Sequence, residues 1–98
     1  MSKKQRYIDT IIRNEERHDE KNSYRYELLM SRGSDVASFR IPLYSIKVSM
    51  TDSEGNDTSA EVSDVFADAG KAILFYEKIV RNLATPIDLA YILEDEIR

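Results

Sequence analysis

The chain has 98 residues, 42% of them hydrophobic, enough for one domain with a single core. With no cysteine, disulfides and thiolate metal sites are excluded. A formal net charge of −4 weighs against nucleic acid as a partner, because phosphates demand a basic surface.

No apolar run approaches the ~18 residues of a membrane span, and Tyr7 to Ile12 is too short and too broken for a signal peptide. A soluble, cytoplasmic protein is the expectation. The charge is uneven. Residues 1–49 hold ten Lys/Arg and seven Asp/Glu, and residues 50–98 hold four and eleven. The halves therefore carry +3 and −7, which fits attraction between them within one domain or an acidic face shown to a basic partner.

In chain order, residues 6–14 come first. Tyr7, Ile8, Ile11 and Ile12 fit a helical stripe, but the β-branched content and the polar run from Glu15 to Asn22 favour a strand followed by a hairpin loop. His18, the sole histidine, stands in that charged run and reads as solvated. Ser23 to Met30 alternates, with Tyr24, Tyr26, Leu28 and Met30 on one face and Arg25 and Glu27 on the other. Leu29 interrupts the polar face. Residues 31–35 read as a loop around Gly33.

Phe39, Ile41 and Leu43 then have odd parity, whereas Tyr44, Ile46, Val48 and Met50 are even. Pro42 between them marks a bulge, a bend or the start of a strand. Thr51 to Thr58 reads as a turn, with Gly55-Asn56 suited to positive φ. Asp52, Glu54 and Asp57 invite a calcium reading, but an EF-hand loop starting at Asp52 needs glycine where Asp57 stands. Thr58 to Val65 reads as a short fourth strand with Ala60 and Val62 on one face.

Two helices follow. The first starts near the N-cap Asp68 and runs to about Asn82, with Ala72, Phe75, Tyr76, Ile79, Val80 and Leu83 as its apolar stripe. Gly70 in its first turn costs helix propensity or permits close approach to the sheet. Asn82, a residue that tolerates the left-handed conformation, is the expected stop. Thr85 caps the second helix, Pro86 takes its first position, and Asp88 reaches back to the Thr85 amide. That helix runs to about Ile97, with Leu89, Leu93 and Ile97 on one face and Ile87, Ala90 and Tyr91 beside them. The expected architecture is α+β: one domain over 1–98, with three or four antiparallel strands (about 6–66) and a C-terminal helix-turn-helix pair (about 68–97) on one face.

The chain has no glycine-rich phosphate loop, no His-x-x-x-His and no nucleophile motif. No catalytic, cofactor or metal residue is therefore assigned, and an enzyme is not the favoured reading. Six tyrosines stand out. Tyr24, Tyr26 and Tyr44 on strands either ring the core or line a groove or interface. Glu94, Asp95 and Glu96 crowd a helix C-terminus whose dipole prefers cations, which calls for a basic neighbour such as Arg25 or Arg40, or a partner. These six residues form the expected interaction surface. The leading expectation is a small non-enzymatic interaction or regulatory module with a protein partner or a second copy. The alternative is a ligand-binding protein or enzyme with a tyrosine-lined pocket.

Val65, Asp68, Lys71, Ala72, Phe75, Asn82, Pro86, Leu89, Glu94 and Asp95 carry a resemblance. So does the strand Tyr44-Ser45-Ile46-Lys47-Val48, with Ser45 in place of an expected glycine. On these positions the chain resembles an uncharacterised-domain family, number sixty-five fourteen, of short proteins from anaerobic Gram-positive bacteria. The resemblance covers half to two-thirds of the chain, is weakest in the N-terminal charged hairpin, and implies no activity.

Overall fold

The structure, a computed structural model, describes residues 7–33 and 42–96. The expectations for Phe39, Arg40, Ile41 and Ile97 fall outside these residues. The described chain forms β1 (Tyr7–His18), β2 (Ser23–Gly33), β3 (Leu43–Thr51), β4 (Asp57–Phe66), α1 (Ala69–Arg81) and α2 (Pro86–Glu96). The strands make one antiparallel meander in the order β1-β2-β3-β4, and both helices pack on one face, giving an α+β fold.

Of the segment expected over 6–14, residues 7–14 form a strand, and β1 is longer than expected. It continues through the polar run to His18, because every residue from Arg13 to His18 has a partner on β2. The turn is only Asp19 to Asn22. The Asp19 carboxylate closes it by accepting the amides of Lys21 and Asn22 at 2.8 and 2.7 Å. These bonds hold the Asp19 carboxyl below its usual range. β2 also outruns expectation. Residues 31–33 pair with Asp9, Ile8 and Tyr7 rather than opening a loop. Pro42 immediately precedes β3, where its missing N–H breaks no ladder bond.

The β3–β4 hairpin is closed in the same manner as the first. Asp52 accepts the amides of Glu54 and Asn56, each at 2.9 Å, and Gly55 takes φ +87°. Two of the acids that invited a calcium reading thus serve the turn: Asp52 holds its amides, and Asp57 accepts the Thr51 hydroxyl at 2.6 Å.

Near its end β4 departs from regular pairing. Ile46 faces Val62 and Tyr44 faces Phe66, so two steps on β3 match four on β4. Asp64 sits in this bulge at φ +54°, and its amide donates to the Ser45 hydroxyl at 2.8 Å. Ser45 therefore does something glycine cannot: it satisfies a bulge amide that the ladder has left out. The bulge keeps Phe66 on the core face, where its ring meets Phe75 at 5.4 Å.

The core lies between β2, β3 and the helices. Tyr24, Tyr26, Leu28, Tyr44, Ile46 and Val48 face Ala72, Phe75, Tyr76, Ile79, Val80 and Leu89. Both helix starts are capped by side chains. Asp68 accepts the amides of Gly70 and Lys71 at 2.7 and 3.2 Å. A Cβ on Gly70 would lie 3.2 Å from the Asp68 carboxylate, so the glycine makes room for its own cap, not for the sheet. At α2, the Thr85 amide donates to Asp88 at 3.0 Å and the Asp88 amide to the Thr85 hydroxyl at 3.3 Å. That reciprocal pair is a capping box in which aspartate stands for the usual glutamate.

The end of α1 corrects one expectation. Asn82 is the C-cap but stays at φ −93°, and Leu83 takes the left-handed turn at φ +51°. The Leu83 amide donates to the Val80 carbonyl at 3.1 Å, and the Ala84 amide to that of Ile79 at 3.0 Å. This is the Schellman pattern of helix termination. A left-handed leucine costs about 1–2 kcal/mol, offset by two satisfied carbonyls and by the packing of Leu83 against the core.

Candidate functional site

Tyr26 is fully buried. Its ring stacks on that of Tyr24 with centroids 6.1 Å apart, and its hydroxyl donates to the Ala84 carbonyl at 2.9 Å. That bond ties β2 to the corner between the helices. Tyr76 returns the tie, donating from α1 to the Tyr26 carbonyl at 3.1 Å. Both phenols are pushed well above their usual range, chiefly by burial, and for Tyr76 also by the nearby Glu15 carboxylate. Tyr24 is buried too. Its hydroxyl donates to Asp19 at 2.8 Å and accepts from the Asn22 side chain at 3.3 Å. Tyr44 is buried beside them. The three strand tyrosines therefore hold the core and its first hairpin. Tyr24 borders an open cavity of about 510 Å³ at the sheet end, with Ser49, Thr51 and Thr58.

The acidic end of α2 divides. At 100° per residue, Glu96 falls on the side of Leu89 and Leu93 and meets Lys78 of α1 at 3.3 Å. The compensating cation thus comes from the neighbouring helix. Arg25 is engaged elsewhere, with Glu16 at 2.8 Å. Glu94 falls within one arc with Ile87 and Tyr91, and Asp95 flanks it. All four are exposed. Ile87 is 72% exposed and Tyr91 67%, and Leu74 on α1 reaches 68%. Ile87 and Tyr91, expected beside the inward face, instead form the outward one. The signal was already in the spacing: two residues from Leu89 is 200° around the helix.

α2 offers this face because its burial is light. Pro86 and Leu89 are buried, and Ile92 and Leu93 are half-buried against β3 and β4. No basic residue occurs from Pro86 to Glu96, whereas Asp88, Glu94, Asp95 and Glu96 are acidic. The outer face is thus an exposed apolar pair one turn apart in a wholly acidic setting.

No group of three or more His, Cys, Asp or Glu among the described residues is arranged to hold a metal ion. No helix among them is long and apolar enough to cross a membrane.

The comparison with known families decides the family. A profile described as a family of unknown function, DUF6514, matches residues 5–98. The chain belongs to that family. The match runs well beyond the C-terminal half and takes in the charged hairpin of β1 and β2, where the sequence resemblance was weakest. No curated protein and no solved structure matches the chain.

Proposed function

We propose that this DUF6514 member is a small protein-interaction module that docks a partner on the outer face of α2. Exposed Ile87 and Tyr91, aligned one turn apart beside Glu94, carry this reading. Aromatic side chains contribute strongly to interfaces, since they bury large area with few rotors to freeze. The acidic rim fits a partner with an apolar centre and a basic border. The buried, hydrogen-bonded hydroxyl of Tyr26 argues against the tyrosine-lined pocket of the alternative reading.

Affinity capture from the native host, with the Ile87→Asp, Tyr91→Ala double variant in parallel, tests this. The reading expects a protein retained by the wild type, lost from the variant, and bound less well as salt rises. Equal capture by both proteins would overturn it. Light scattering during size exclusion distinguishes a second copy from a foreign partner.

A further inference from the structure

Where β2 and β3 place apolar side chains under the helices, β1 places charges. Arg13, Glu15 and Arg17 stand opposite Leu28, Tyr26 and Tyr24, so they share the core face. With His18, Glu77 and Arg81 they line a cleft of about 500 Å³ between β1 and the last turns of α1.

The acids and cations of this cleft are differently committed. Glu15 Oε1 is shielded from solvent and accepts no hydrogen bond. The Glu15 carboxylate lies 3.7 Å from the Arg13 guanidinium and 3.5 Å from that of Arg17. Arg13 reaches Glu77 at 3.5 Å and also covers the Tyr76 ring at 5.3 Å. All three ion pairs are looser than the ~2.7–2.9 Å of a charge-assisted hydrogen bond. The contact between Arg25 and Glu16, at 2.8 Å, shows what a close pair looks like in the same chain. The side chains of Arg81 and His18 make no hydrogen bond or ion pair among the described residues. The helix end does not hold Arg81, since the Lys78, Ile79 and Val80 carbonyls already accept the amides of Asn82, Ala84 and Leu83.

Three guanidiniums thus face two carboxylates: Arg17 also donates to the Glu16 carbonyl at 2.9 Å, whereas the Arg81 guanidinium is unengaged among the described residues, with the His18 imidazole beside it. We propose that this cleft binds an oxyanion of the phosphate class on a small molecule, with Arg81 as its principal ligand and the remaining donors of Arg17 in support. Guanidinium forks match phosphate oxygens in geometry. An oxyanion also balances the surplus guanidinium of the cleft. The net charge of −4 disfavours a long polyanion. The inward Glu15 braces Arg13 and Arg17 from below. The cleft shares no residue with the α2 face.

The test follows arginine Nε–H and His18 ring signals by NMR in the full chain at fixed pH. Inorganic phosphate and a nucleoside monophosphate are titrated separately, against sodium chloride at equal ionic strength. His18, as the sole histidine, gives an unambiguous reporter. Saturable shifts of His18, Arg17 and Arg81 with a phosphate probe, and affinity about tenfold weaker in Arg81→Gln, are expected, since the substitution removes a charge-assisted bond. Tighter binding of the monophosphate would assign the cleft to a phosphorylated metabolite, and equal binding to free phosphate. Linear shifts, shifts reproduced by chloride, or unchanged affinity in Arg81→Gln would overturn the proposal.

Discussion

The face of the sheet under the helices is built in two ways. Over β2 and β3 it is an apolar layer, with Tyr26, Leu28, Ile46 and Val48 fully buried. Over β1 it is a charged layer, with Arg13, Glu15 and Arg17 at the equivalent positions. Both layers lie under one helix pair, yet only the first removes a large area from water. Stability and tolerance to change therefore reside in different strands. Apolar burial contributes about 25 cal/mol per Å². Half-exposed ion pairs contribute about 0–1 kcal/mol each. The central strands and helices therefore hold the fold, and the edge strand can carry chemistry without endangering it.

Graded substitutions test that contrast. Phe75→Ala, which empties a site walled by Phe66, should cost about 3–5 kcal/mol in chemical denaturation. A loss under 1 kcal/mol would mean the apolar layer is not what holds the domain. Tyr26→Phe should cost about 1–3 kcal/mol, because it leaves the buried Ala84 carbonyl without its donor.

The same burial gives an alkaline prediction. Tyr26 and Tyr76 have folded pKa values raised above the unfolded 10.0. Their stabilising contribution is full below pH 10 and is lost as pH climbs toward the folded values. Tyrosinate absorbance from these two rings should therefore appear together with loss of circular dichroism. Their ionisation in a still-folded protein would contradict the packing described.

Smaller effects follow at the corner and the edge. Thr85→Ala removes the cap of α2 and should cost ~1 kcal/mol in the same assay. Arg13→Gln, which breaks contacts to Glu15 and Glu77, should cost under about 1 kcal/mol, and less still in high salt. A cost for Arg13→Gln as large as that for Phe75→Ala would erase the distinction between the two layers.

Much of this was legible in the residues. Period-two alternation placed Tyr24, Tyr26, Leu28, Tyr44, Ile46 and Val48 on one face, and the structure keeps them there. Thr85-Pro86-Ile87-Asp88 encodes its capping box in four letters, and local hydrogen bonding suffices to form it. What stayed hidden depends on tertiary context. The strand through Glu15 and Arg17 looks like a loop because its inward positions are charged, and only pairing with β2 makes it extended. The positive φ at Leu83, where Asn82 was the expected carrier, follows from the Schellman bonds that anchor Ala84 beneath Tyr26. Whether the tyrosines ring the core or line a groove is decided only in three dimensions, where the hydroxyls of Tyr24, Tyr26 and Tyr76 donate to Asp19 and to the Ala84 and Tyr26 carbonyls. The outward pair Ile87 and Tyr91 could have been found by rotating the helix about Leu89.

The central claim is that α2 has two separate faces, one that holds the fold and one left free to dock. Paired thermal melts of Leu89→Ala and Tyr91→Ala test it most directly. Leu89→Ala should lose about 2–5 kcal/mol, whereas Tyr91→Ala should stay within about 0.5 kcal/mol of the wild type. If Tyr91→Ala destabilises the chain as much as Leu89→Ala, the outer face belongs to the fold and the docking surface does not exist.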